Sequence, residues 1–188
     1  FEATLRIMNP LSLAKNPPPG SDRARMEALR AVLKGRQRLL VMTHNNPDPD
    51  SLGGAVGLQD FARKVTGVES QFAITGRILR AENQAMVREL GIQMDRLELL
   101  DLADFDCVAL VDTQPGFGHT FVPSSLGVDI VIDHHVCAEA DKPQREVAFL
   151  DVRPDVGATS SMVAGHLLEA GVVPSREVAT ALAYGIKT

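Results

Sequence analysis

The chain has 188 residues, 45% hydrophobic and 23% charged, with no Trp and a formal net charge of -5. That size and composition suit one compact domain with a buried core and exclude a disordered or disulfide-framed chain. The negative balance argues against broad capture of long duplex nucleic acid, which needs a basic surface to displace counterions, yet it admits a small phosphate ester whose charge is met by bound metal ions.

No apolar run approaches the roughly 18 residues of a membrane span, and no signal peptide is visible. Cys107 and Cys137 form neither a CxxC pair nor a framework of bridges, so a reducing, cytoplasmic setting is expected. Residues 1–20 end in Asn16-Pro17-Pro18-Pro19-Gly20 and read as the end of a preceding module and a proline-rich linker, with one domain from 21 to 188. Phe1 and Thr188 read as cut ends.

Ser21-Asp22 look like a helix cap, and Met26, Leu29, Val32 and Leu33 recur at helical spacing up to Gly35. Leu39 to Thr43 reads as a buried strand, and a helix opening at Gly53-Gly54 runs through Val56, Leu58, Phe61 and Val65 to Gly67. Next come a strand over Gln71 to Thr75, a helix over Ala81 to Leu90 and a short strand over Leu97 to Leu100. Cys107 to Val111 and Val128 to Ile132 are strands separated by a loop over Thr113 to Ser125, and Glu146 to Leu150 is another strand. Helices over Thr159 to Glu169 and from a Ser175 cap through Ile186 close the chain. The alternation predicts an α/β fold, a mostly parallel sheet flanked by helices on both faces.

Three of these strands run into Asp and His clusters: His44-x-x-x-Asp48-x-Asp50, Asp112, and Asp133-His134-His135. Parallel sheets place ligands beyond the carboxyl ends of their strands, so the clusters can converge on one crevice as a divalent metal site. The two prolines at 47 and 49 predict a fixed loop rather than a helix, from which His44, Asp48 and Asp50 address one ion or two close together. The competing reading is an Asx-rich turn in which Asp48 and Asp50 satisfy backbone amides before a helix. Asp112, at the end of an apolar strand, can likewise be a strand-end cap, although an ionised carboxylate there is costly unless paired or coordinated. Neighbouring His134 and His135 point apart in extended backbone, leaving one to coordinate and one to face substrate. His119, Arg77 and Arg80 are weaker candidates near the site, His166 reads as structural, and Cys137 has no assigned role.

The order His44-x-x-x-Asp48-x-Asp50, Asp112, Asp133-His134-His135 and Gly157-Ala158-Thr159-Ser160-Ser161 resembles the DHH family of phosphoesterases. That family includes nanoRNases that also act on 3'-phosphoadenosine 5'-phosphate, RecJ exonucleases, cyclic dinucleotide phosphodiesterases, exopolyphosphatases and family II inorganic pyrophosphatases. The resemblance implies two divalent ions, Mn²⁺ by preference, with Mg²⁺, Co²⁺ and Zn²⁺ open on ligand type. His44, Asp48 and Asp112 would hold one, Asp50, Asp112 and His134 the other, with Asp112 bridging. His135 would meet the scissile phosphate, Asp133 would orient a ligand histidine, and Ser51 would cap a helix whose N-terminus meets a phosphate oxygen.

The implied chemistry is attack on phosphorus by a water activated between the two cations. The implied substrates are small nucleotides or short oligonucleotides, with inorganic pyrophosphate, a cyclic dinucleotide or a non-catalytic nucleotide-sensing role as alternatives. No membrane partner is implied, and the oligomeric state is left open. Family members add an Asp ligand just after a Gly-Ile-x-Thr segment, here Gly185-Ile186-Lys187-Thr188, and a smaller C-terminal domain that closes over substrate. A chain without these would bind metal weakly and turn over slowly or not at all.

Overall fold

The computed structural model describes residues 21–123, 125–136 and 146–188; the linker reading for residues 1–20 and Cys137 lie outside them. Helix α1 (Asp22–Leu33) starts where Ser21 accepts a hydrogen bond from Ala24 N, and its buried Met26, Leu29 and Leu33 lie at helical spacing. Strand β1 (Arg38–Met42) follows. Helix α2 (Pro49–Phe61) then continues into a π-helical turn over Ala62–Thr66, which Gly67 ends in a left-handed conformation. Beyond it lie β2 (Glu69–Ile74), α3 (Ala81–Leu90), β3 (Asp95–Arg96), β4 (Cys107–Val111), β5 (Ile130–Asp133), β6 (Phe149–Val152), α4 (Thr159–Glu169) and α5 (Arg176–Lys187).

The six strands form one sheet in the order β3-β2-β1-β4-β5-β6, and every pairing is parallel. Chain order reverses between β1 and β4, and such a switch point opens a crevice above the strand ends. All five residues of β4 are buried, as a central parallel strand covered on both faces requires. The α/β class and parallel sheet agree with the sequence reading.

The two layers are unequal. Among the described residues, buried side chains of all five α-helices join Leu39, Val41, Phe72, Ala109 and Ile132 in one core. The opposite face, with Leu40, Met42, Val108, Leu110 and Val131, is covered by Leu97, Leu100, Leu102, Phe105, Val122 and Leu126 from turns and loops. Two short 3-10 turns, Leu97–Leu99 and Leu102–Asp104, supply part of that thinner cover. The expected strand over Leu97 to Leu100 is thus a helical turn whose apolar residues plug the sheet face instead of extending the sheet.

Other boundaries move for local reasons. Helix α2 starts at Pro49, not Gly53, because Asp48 caps it and Pro49 occupies the first helical position, where a missing N–H costs nothing. The fixed loop expected from the prolines therefore ends at Asp48. Strands β5 and β6 begin two and three residues later than expected, since register with the neighbouring strand rather than local apolarity sets where pairing begins.

Candidate metal centre

Strand β1 delivers His44, β4 delivers Asp112, and β5 ends at Asp133 with His134 and His135 beyond it. Asp112 is 1% exposed and has φ +60, a left-handed backbone that few residues other than Gly, Asn and Asp adopt. Its amide still donates to Ile132 O at 2.9 Å. The chain therefore stays tied to β5 at the position where the Asp112 carboxylate meets the site.

Asp112 is the hub. Its Oδ2 lies 3.6 Å from His44 Nε2, and its Oδ1 lies 3.6 Å from His134 Nε2 and 3.8 Å from His135 Nδ1. His134 Nε2 is also 3.6 Å from Asp50 Oδ2. Two donor groups result, His44 with Asp48 and Asp112, and Asp112 with His134 and His135, each offering ligand atoms within 4.8 Å of one another. Separations of this size leave room for an ion between the atoms, since metal–ligand bonds run about 2.0 to 2.2 Å for nitrogen and oxygen. The mixed imidazole and carboxylate set fits a divalent cation such as Mn²⁺.

The two carboxylates of the first motif part company. Asp48 Oδ1 accepts from Ser51 N at 3.0 Å as the cap of α2, as the competing turn reading describes, while Asp48 also joins the His44 donor group. Asp50 sits in the first helical turn, and its oxygens accept from Thr159 N at 2.8 Å and Ser160 N at 2.6 Å. Its carboxylate thus satisfies amides at the start of α4, more than 100 residues on.

Ser51 is corrected. It does not cap α2; its hydroxyl donates to Asp112 Oδ2 at 2.6 Å and lies 2.6 Å from His44 Nε2. Thr159 Oγ1 donates to Asp112 Oδ1 at 2.9 Å. The histidine pair is corrected too: the rings of His134 and His135 sit 4.3 Å apart rather than pointing away from each other, because the extended strand ends at Asp133. Asp133 holds His135 Nδ1 at 2.8 Å, and His134 Nδ1 is instead placed by Val156 O at 3.2 Å. Gln114, which the sequence did not single out, donates to Asp133 Oδ2 at 2.7 Å and to His135 O at 3.0 Å.

The electrostatics follow from crowding. Burial, and next the charge of Asp112, raise the Asp50 pKa above the usual carboxylate range, against hydrogen bonds from Ser160 and Thr159. Burial alone would raise Asp112, but hydrogen bonds from His44, Ser51 and Thr159 and the charge of His135 bring it below that range. Burial opposes a charged His44, yet the Asp112 and Asn45 hydrogen bonds with the charges of Asp112 and Asp48 raise its pKa. For His135, burial is outweighed by the hydrogen bond and charge of Asp133, and the pKa rises. His119, edge-on to His44 with ring centres 5.3 Å apart, has its pKa lowered by burial and by the charges of His44 and His135.

A cavity of about 320 Å³ opens over these groups, bounded by His44, Asp48, His119, His135 and Arg80. His166 lies away from it, buried 3.2 Å from Asp151, in keeping with a structural role. Close packing beneath the centre depends on glycine: a Cβ at Gly185 would come within 2.5 Å of Ser160 Oγ and 2.7 Å of Pro49 O. The sequence marked Gly185 only as part of a motif, since a contact between α5 and the start of α2 has no local signature.

The profile of the DHH family, N-terminal domain, matches residues 38–186. An uncharacterized protein of Methanocaldococcus jannaschii is 40% identical over 151 residues, covering 80% of this chain and 30% of its own length. A Streptococcus suis protein named "Probable manganese-dependent inorganic pyrophosphatase" is 26% identical over 150 residues, covering 79% of this chain and 47% of its own length. Among solved structures, an exopolyphosphatase-related protein from Bacteroides fragilis superposes with a TM-score of 0.66 at 19% identity, over 87% of this chain and 49% of that one. RecJ in complex with Mn²⁺ from Thermus thermophilus superposes with a TM-score of 0.50 at 19% identity, over 89% of this chain and 24% of that one. The chain spans half or less of each of these proteins, and no helix among its described residues is long and apolar enough to cross a membrane. With its sheet, its Asp-His-His triplet and its matched span of residues 38–186 taken together, the chain belongs to the DHH family, of which it carries the N-terminal domain.

Proposed function

We propose that this domain is the metal-binding half of a phosphoesterase that hydrolyses short nucleotide phosphoesters, oligoribonucleotides or 3'-phosphoadenosine 5'-phosphate. The observation that carries the reading is the buried Asp112 carboxylate with one oxygen facing His44 and the other facing His134. His44, Asp48 and Asp112 would hold one divalent ion and Asp50, Asp112 and His134 a second, with Mn²⁺ the preferred metal. When bound, such a pair supplies a nucleophile at neutral pH and positive charge for the phosphoryl oxygens.

The chain's own side chains do the rest. His135, half exposed and held by Asp133, donates toward a phosphate oxygen; the hydrogen bond and charge of Asp133 raise its pKa against burial. Arg80, in the wall of the same cavity, offers a guanidinium to the phosphate. Ser51 and Thr159 fix the Asp112 carboxylate by hydrogen bonds, so it does not reorganise as charge develops.

The test is hydrolysis of the dinucleotide pApA with Mn²⁺ by the naturally occurring full-length protein. Turnover that disappears in Asp112→Asn with the fold intact supports the reading, and no hydrolysis of any phosphate ester across several divalent metals overturns it. A second reading, inorganic pyrophosphatase, is favoured by the name of the Streptococcus suis relative. Pyrophosphate turned over faster than pApA in the same assay would select it.

A further inference from the structure

We propose that a second cavity, next to the metal centre, seats the aromatic base of a nucleotide whose phosphate lies against His135; the inference rests on the phosphoesterase reading above. The cavity measures about 520 Å³, within the range of small-molecule sites. It exists because the sheet face away from the α-helices has only thin cover. The connection from β4 to β5 forms no α-helix among its described residues, and a gap remains between the turns after β3 and the stretch at Phe121.

Its position ties it to the chemistry. Asn45, directly after the ligand candidate His44, lines both this cavity and the one over the metal-ligand groups. Asn45 is pinned there: its amide donates to His119 O at 2.8 Å, its carbonyl accepts from His44 Nδ1 at 2.8 Å, and its side-chain oxygen accepts from Thr75 Oγ1. Asn45 is thus the residue common to the two cavities.

Its lining suits a planar base rather than a second phosphate. Leu97, Leu100 and Leu102 provide one apolar side, and Phe121 with Pro123 the other. Phe121 is 59% exposed, an open aromatic face of the kind on which bases stack. Among the lining residues there is no cationic side chain to receive phosphate. Glu98 lines the same cavity; one of its oxygens meets Arg96 Nε at 3.5 Å, and a carboxylate has lone pairs to spare for an exocyclic amino group. Adenine and cytosine carry such a group and uracil does not. Inorganic pyrophosphate has nothing to place here.

Phe121→Trp places an indole reporter at the stacking face, its signal read as the difference from the unsubstituted full-length protein. In full-length protein with Mn²⁺, 5'-AMP should quench this indole saturably, and ribose 5-phosphate, which lacks the base, should bind about tenfold more weakly or not at all. No quenching by millimolar 5'-AMP, or equal affinity for the two probes, overturns the proposal. In parallel, Phe121→Ala should lower the selectivity for pApA over pyrophosphate by about tenfold, through KM, with Phe121→Trp restoring it. Unchanged selectivity in Phe121→Ala also overturns the base seat. Loss of all hydrolysis beside intact 5'-AMP quenching would instead remove the phosphoesterase reading and leave the seat, so the two failures are distinct.

Discussion

Asp50 accepts a hydrogen bond from Ser160 N at 2.6 Å, and the Ser160 hydroxyl returns one to Asp50 O at 3.0 Å. A residue at the start of α2 thereby secures the start of α4 across the crevice, and one side chain serves both the fold and the metal site. Asp48, two residues earlier, caps its own helix.

These carboxylates therefore respond differently to amide substitution. Asn is as good a cap as Asp, so Asp48→Asn should leave metal-free stability within about 0.5 kcal/mol while weakening Mn²⁺ binding. Asp50→Asn turns an NH₂ group toward one of the two α4 amides and should cost about 1–3 kcal/mol in addition to the metal loss. Urea unfolding and calorimetric Mn²⁺ titration of the two variants check this.

The pH response of the metal-free protein is set in part by His44. Its pKa is raised in the fold, so the stability it contributes is complete below the unfolded value near 6.5 and is lost as pH rises through the folded value. Asp112 runs the other way: its pKa is lowered, so its contribution is present above the unfolded carboxylate value and is lost as pH falls through the folded one. A metal ion must displace the His44 proton. Mn²⁺ binding should therefore release protons and tighten as pH rises from 6 to 8, roughly up to tenfold per unit for one displaced proton. Calorimetry in buffers of different ionisation enthalpy measures the release directly.

Gln114 acts on the site through Asp133 and the His135 carbonyl. Removing its amide in Gln114→Leu should lower kcat about 10- to 100-fold, as loss of groups supporting a metal site commonly does. The pH–rate profile should shift as well, because Asp133 holds the His135 proton; a variant that only loosened the fold would lose stability without moving that profile.

Gly185→Ala replaces a poor helix former with the best one, a gain of about 1 kcal/mol in an open helix. Here the added methyl would meet Pro49 O at 2.7 Å and Ser160 Oγ at 2.5 Å, so a net loss of about 1–3 kcal/mol is expected from overpacking. The unfolding midpoint decides the sign. Mn²⁺ affinity should drop with it, since Asp50 is bonded to Ser160 and follows Pro49 directly.

Local sequence was sufficient wherever the cause is local. Helix α3 over Ala81–Leu90, strand β4 over Cys107–Val111 and the Ser21 and Ser175 caps appear where periodicity and capping chemistry place them. The convergence of His44, Asp50, Asp112 and His134 was also legible, because parallel strands deliver their carboxyl ends to one edge of a sheet. What the tertiary structure alone decided are relations between distant segments. The Asp50 bonds to α4, the placing of Ser51 between His44 and Asp112, the support of Asp133 by Gln114 and the cavity shared at Asn45 all join residues well separated along the chain. Periodicity reports which face of an element is buried; it carries no information on which polar atom of another element will meet it, and that is fixed only when the layers pack.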